Sequence, residues 1–230
     1  MKQVRILHIG DMQNGFTREN GSLYVHGAQD IIEPSNTFLQ RVRSGVFDHI
    51  LLILDTHFTE EYYQSDESKQ FPIHCEYGSD DWELSIDTSG LTQVHYLLKN
   101  QFTMWGTKSE SDPLFSDDQR KIVYDQLFHM IDDPHNPTEI IPRDSFLQDL
   151  ISDSASVSLQ VIMIGVASDY CIRYAMEGWL ARGAEVTIIS DLTKGITKET
   201  PEILHEPAYR EYLPQKLRTI SSEEFLSEIQ

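Results

Sequence analysis

Lysine and arginine are scarce in this chain. Only 18 of them face 37 aspartates and glutamates among 230 residues, for a formal net charge of −19. Nucleic-acid binding needs cations clustered against phosphate, and an anionic membrane surface needs the same, so both classes are excluded. Cysteine is scarcer still: Cys75 and Cys171 cannot form a disulfide framework, and two free thiols fit a reducing compartment. Long apolar runs are missing, since Ile50–Leu54 and Val161–Ala167 fall far short of the ~18 residues a membrane helix needs. Met1 to Ile6 lacks the apolar core of a signal peptide. No repeat, low-complexity tract or Gly/Ser linker divides the chain. These absences predict one soluble, cytoplasmic domain over residues 1–230. Oligomeric state is not readable at this level, and a homo-oligomer stays open.

A hydrophobic fraction of 40% supplies enough material for a core. Val4–Ile9, Ile50–Leu54, Val94–Leu98, Val161–Ile164 and Val186–Ile189 are nearly continuous apolar runs, the pattern of strands buried on both faces. Helical spacing falls between them. Ile31 to Val42 gives one helix, with Pro34 disturbing its first turn. Asp118–Ile131 gives a second, and Asp169–Arg182 a third, closed by Gly183. A further helix starts near Pro201 and a last one near Ser221. Residues 109–119 read as an acidic connection and 132–137 as a loop. Strands alternating with helices imply a doubly wound α/β fold, a mostly parallel central sheet with helices on both faces.

Such sheets bind ligands beyond the carboxyl ends of their strands. Asp11 follows the first run, Asp55-Thr56-His57 the second, Lys99 the third, and Gly165 to Cys171 the fourth. Each residue type is common at a strand end; convergence at one sheet edge is the signal. Cys171 falls in the first turn of a predicted helix, where exposed N–H groups favour a thiolate. Asp11 could act as base, and Lys99 could stabilise developing negative charge. Asp55, His57 and His74 suit Zn, Fe or Mn with positions left open. The remaining histidines show no ligand spacing, and His8 points into or across the first strand.

The motifs resemble those of the isochorismatase-like cysteine hydrolases, specifically the nicotinamidase (pyrazinamidase) family. Asp11-Met12-Gln13-Asn14-x-Phe16 and the stretch Gly21 to Ala28 resemble its opening. Asp55-Thr56-His57 and Phe71-Pro72-Ile73-His74-Cys75 resemble its metal motif, and Lys99-Asn100-Gln101-Phe102 its lysine motif. Gly165-Val166-Ala167-Ser168-Asp169-Tyr170-Cys171-Ile172 resembles its nucleophile motif. The matches run in family order from Val4 to about Thr193. Glu67-Ser68-Lys69-Gln70-Phe71-Pro72-Ile73-His74 also matches a family stretch in which the Glu is a fourth metal ligand.

The resemblance implies an isochorismatase-like, Rossmann-like fold and an amidohydrolase that converts nicotinamide to nicotinate and ammonia. It implies catalytic Asp11, Lys99 and Cys171, and an oxyanion hole from the backbone N–H groups of Ala167 and Cys171. It also implies a cis bond between Val166 and Ala167. Ring packing would fall to Phe16, Phe102 and Trp105. One divalent ion, zinc foremost with iron or manganese open, would sit on Asp55, His57, Glu67 and His74 and position the pyridine ring. Three departures stand out. Gly15 replaces the family's Asp, residues 108–150 are longer than a minimal member, and no His follows shortly after His57. Two alternatives remain: an isochorismatase-like cysteine hydrolase for another small amide, and a non-catalytic metal-binding α/β protein.

Overall fold

Five apolar runs become the centre of one sheet. The computed structural model describes residues 2–42, 45–108, 113–115, 117–151 and 157–229. Its strands are β1 Lys2–Gly10, β2 His49–Asp55, β3 Val94–Lys99, β4 His129–Ile131, β5 Ile140–Pro142, β6 Val157–Val166, β7 Glu185–Lys194 and β8 Leu217–Ile220. They lie in the order β5-β4-β3-β2-β1-β6-β7-β8. β4 runs antiparallel to β3 and to β5, and every other pair is parallel.

The helices are α1 Asn14–Thr17, α2 Ile32–Arg41, α3 Thr59–Tyr62, α4 Asp118–Asp125, α5 Arg143–Ile151, α6 Cys171–Ala181, α7 Thr200–Leu204 and α8 Ser222–Glu228. Successive strand residues alternate between two cores. Leu7, Ile9, Leu52 and Leu54 pack with Phe38 of α2 and Phe225 of α8. Ile6, Leu51, Ile53 and Met163 pack with Phe146 of α5, and with Met176 and Trp179 of α6. The doubly wound expectation holds.

Pro34 sits in the first turn of α2, where a missing N–H costs little. Gly183, at φ +80°, closes α6 as expected: its N–H donates to Leu180 O and that of Ala184 to Trp179 O. The helix expected over 118–131 is shorter. α4 stops at Asp125, Phe128 turns back at φ +64° with its N–H on Leu98 O, and 129–131 add a strand to β3. Leu127, Met130 and Ile131 suit a helix face or a strand equally, and pairing with the open edge of β3 decides. β5, α5 and β8 carry no sequence signal that anticipates them. The acidic connection over 109–119 falls partly outside the described residues.

Candidate active site

Four adjacent strands end at the same edge of the sheet and deliver one charged cluster. Asp11 follows β1, Asp55 ends β2 and Lys99 ends β3, while Cys171 opens α6 after β6. Gly165 lets the β1 and β6 ends approach closely: at φ +119°, a Cβ there would lie 2.0 Å from Gly10 O. Asp11, Asp55 and Lys99 are each 1% exposed. Lys99 Nζ lies 3.2 Å from Asp11 Oδ2, 3.1 Å from Asp55 Oδ1 and 3.5 Å from Cys171 Sγ. The contacts with the two carboxylates are ion pairs off the hydrogen-bond axis. Asp11 and Cys171 thus neighbour the same ammonium.

Burial and pairing set the protonation states. Burial pushes Asp11 up to about 6, with Lys99 opposing. Burial would lower Lys99, but Asp11 and Asp55 outweigh it and hold the ammonium well above its usual range. Burial and the neighbouring Asp11 carboxylate push the Cys171 thiol well up, against Lys99. Desolvation and Asp11 thus act on the thiol against the pull of the helix start toward a thiolate.

The second half of the cluster joins Asp55 to His57, Glu67 and His74, whose donor atoms all lie within 4.8 Å of one another. His57 Nε2 is 3.3 Å from Asp55 Oδ2, and His74 Nε2 is 3.2 Å from that oxygen and 3.4 Å from Glu67 Oε1. His74 Nδ1 lies 2.8 Å from Pro72 O; donating there, it leaves Nε2 free as a ligand. Asp55 Oδ1, Glu67 Oε2 and both ring nitrogens of His57 are buried without a hydrogen bond. Asp11, Asp55 and Glu67 place three carboxylates against the single ammonium of Lys99, all at 5% exposure or less. Two uncompensated buried negative charges are costly. A divalent cation on the orphaned donors fits both the charge and the ligand set. Hydrogen bonds to Asp55 and Glu67 outweigh burial and raise His74 to about 10, so a proton partly answers the same charge.

The competing acids lie elsewhere. Asp66 is 92% exposed at its side chain and pairs with Lys69. Glu60 binds Arg120, and Glu61 accepts from Asn100 Nδ2 at 3.0 Å. A cleft of about 420 Å³, lined by Glu61, Glu67, Asn100 and Phe102 among others, meets the cluster at Glu67; Asp11, Lys99 and Cys171 do not line it. A second cavity of about 410 Å³, around Arg5, Gln160 and Lys216, lies at the opposite ends of the strands and shares no residue with the site.

Phe16 packs edge-on to His74, with centroids 5.2 Å apart. Phe102 joins Phe71 and Tyr170 at 5.9 and 5.3 Å. Trp105 is not with them. Its ring lies against Trp179, under Arg182, and its N–H reaches the carbonyls of Tyr174 and Ala175. Gly178 makes room for it on the flank of α6, so the ring-packing expectation for Trp105 is corrected. Sequence reasoning missed Tyr62, 4.6 Å from His57, and Gln13, whose amide ties the Asp55 backbone at both N and O. Gln13, Phe71 and Tyr170 sit inside the motifs and could have been singled out. Tyr62 carries no such mark.

The turn leading to Cys171 has the expected cis bond between Val166 and Ala167. Ser168 N–H donates to Lys194 O, and those of Tyr170 and Ile172 donate to Ala167 O. None of these bonds uses the amides of Ala167 or Cys171.

No family model matches the chain. It is 27% identical over 202 residues to the nicotinamidase/pyrazinamidase of Mycobacterium tuberculosis, covering 86% of this chain and 90% of that protein. An isochorismatase-like hydrolase from Alkaliphilus metalliredigens superposes over 100% of both chains, with TM-score 0.63 and 17% identity. The chain has the isochorismatase-like hydrolase fold. The pyrazinamidase of Pyrococcus horikoshii, solved in complex with zinc, shares that fold with TM-score 0.60 and 20% identity, covering 94% of this chain and 98% of that one. On the isochorismatase-like framework, Gly15 has a local cause: a Cβ there would meet Cys75 Sγ at 3.0 Å and Asp81 O at 3.1 Å. A larger residue there requires Cys75 or Asp81 to give by a few tenths of an ångström.

Proposed function

We propose that the protein is a nicotinamidase, hydrolysing nicotinamide to nicotinate and ammonia through a thioester on Cys171. The observation that carries the reading is the contact of Lys99 with Asp11, Asp55 and Cys171, which joins a nucleophile–base pair to a buried ligand set. The similarity to the Mycobacterium tuberculosis enzyme supports the substrate. The test is ammonia release from a panel of small amides, nicotinamide first. Release from other amides only would leave the hydrolase and remove this substrate.

Asp11 takes the thiol proton as Cys171 Sγ bonds to the amide carbon, so the sulfur becomes anionic only as it reacts. The amide oxygen gains the charge and accepts from the N–H groups of Ala167 and Cys171, donors worth ~3 kcal/mol each at the transition state. Lys99 stays protonated and holds both carboxylates in place. Asp11 then gives its proton to the departing nitrogen, and ammonia leaves a thioester. Asp11 next accepts a proton from water, whose oxygen attacks the thioester carbon, and returns that proton to the sulfur as the acid leaves. Asp55, His57, Glu67 and His74 would hold one divalent ion, with zinc favoured by the donor set, and it would supply a Lewis-acidic position for the pyridine nitrogen. Phe16 and Phe102 would pack the ring.

Asp11 must be ionised to accept the proton, and its carboxyl is pushed up to about 6. kcat/KM should therefore fall as pH drops through about 6, well above the usual carboxylate range. A pH–rate profile flat down to pH ~4.5 would remove Asp11 as the base.

Glu67→Ala should lower zinc affinity roughly 10-fold or more, the scale of losses even for groups that only support ligands. Asp66→Ala should change it little. Bound zinc after dialysis against chelator decides between them. Equal retention in Glu67→Ala and the unaltered protein would take Glu67 out of the site.

A further inference from the structure

The long segment 108–150 sends one side chain into the outer wall of the ligand cluster. The stretches carrying His57 and His74 are joined by an isolated parallel bridge, His57 to Glu76, and by Tyr62 Oη, which donates to Phe71 O and Pro72 O at 3.1 and 2.9 Å. In the bridge His57 N–H donates to Cys75 O at 3.1 Å and Tyr77 N–H to His57 O at 2.9 Å. Arg120, on α4, spans both stretches. Its Nε and Nη2 donate to the two oxygens of Glu60 at 3.0 and 2.8 Å. Nη2 also donates to Glu76 Oε1 at 3.0 Å, and Nη1 to Tyr77 O at 3.3 Å. Thr59 Oγ1 donates to the same Glu76 oxygen at 2.5 Å. The guanidinium lies 5.4 Å from the centre of the Phe58 ring, which Phe115 and Tyr124 hold in turn.

From this geometry we propose that Arg120 is a positioning residue for the metal centre, a clamp that keeps the His57 and His74 stretches at ligand spacing. Glu60 lies three residues beyond His57 and Glu76 two beyond His74. A planar fork with five donors can fix both at once, which a lysine cannot. Losing a group that orients metal ligands typically costs roughly 10–100-fold in metal affinity. Charge alone argues the other way: Arg120 is a cation near a cation site, so deleting it should strengthen metal binding. The sign of the effect separates a clamp from a bystander.

The proposal rests on the metal reading above, and its test uses the whole zinc-loaded protein. Arg120→Met keeps the stem over Phe58 and removes the fork. Zinc release to a chelating dye should become about 10-fold faster, with a matching loss of affinity. At saturating zinc, kcat should stay near the unaltered value. Glu60→Gln should act in the same direction, and the double variant should be no worse than the more severe single one. Lys108→Ala, which removes a pairing with Asp125 of α4, should release zinc at the unaltered rate. Release from Arg120→Met as slow as normal, or slower, overturns the clamp; so does equally fast release from Lys108→Ala. Should Arg120→Met fail to fold, the release rate of Glu60→Gln decides in its place, faster release supporting the clamp and unaltered release overturning it. An unaltered protein that holds no zinc overturns the metal reading and the clamp together.

Discussion

Replacing Cys171 with alanine should reduce ammonia release from nicotinamide to the background rate while leaving the fold and zinc content unchanged. The loss is total because no other nucleophile takes its place. Cys75 is 0% exposed, its thiol points at Asp81 O, and burial pushes it well above its usual range. The cost to stability is small, since one sulfur atom is removed, on the order of 1 kcal/mol by buried-area bookkeeping. A pyridine-3-carbaldehyde should bind the unaltered enzyme through a reversible thiohemiacetal, because its tetrahedral adduct presents the oxyanion to the donors of Ala167 and Cys171. The same compound should lose that adduct in Cys171→Ala. Residual turnover above a trace in the alanine variant would rule out the thioester route.

Asp11→Asn should lower kcat by roughly 10²–10⁴-fold, the usual contribution of a positioned acid–base group. It should at the same time stabilise the protein. Asp11 has a folded-state value of about 6, raised from an ordinary carboxylate, chiefly by burial. The folded protein therefore binds that proton more tightly than the unfolded chain. The penalty for ionising Asp11 is absent below the unfolded value near ~4 and complete above the folded value of about 6. Asparagine removes it, so the variant should gain roughly 1–3 kcal/mol at about pH 7.5 and nothing at about pH 4. Melting curves of chelator-treated protein at the two pH values read this directly. A variant that lost both activity and stability at the higher pH would make Asp11 a structural anchor. Opposite signs mark a charge kept for chemistry.

The strand ends are legible because the five central strands are apolar on both faces, so the first charged residue after each marks where the sheet stops. That places Asp11, Asp55, Lys99 and Cys171 at one edge. His74 is legible through the stiffening Pro72 before it, Glu67 through the resemblance of the stretch Glu67 to His74 to a family motif, and the four donors do converge. The edge of the sheet is not legible. Residues 129–131 form a strand only because β3 has an open side, and that fact belongs to the fold rather than the local pattern. Trp105 is misread because an aromatic near a motif cannot announce which side of α6 it covers; the space left by Gly178 decides. At Cys171 the helix terminus is visible in sequence, whereas the desolvation that opposes it belongs to the fold.

β1 pairs along its whole length with β6, from Lys2–Val157 to Gly10–Gly165, and on its other side with β2. In the order of synthesis β2 and β3 emerge early and β6 much later. A nascent chain that has reached Leu150 therefore holds Asp11, Lys99 and all four candidate metal donors, yet presents β1 as a long, apolar, unpaired edge. Such edges recruit other strands. The strand that leads to Cys171 is thus also the one that covers this edge, and a chain truncated before β6 should lose solubility along with Cys171.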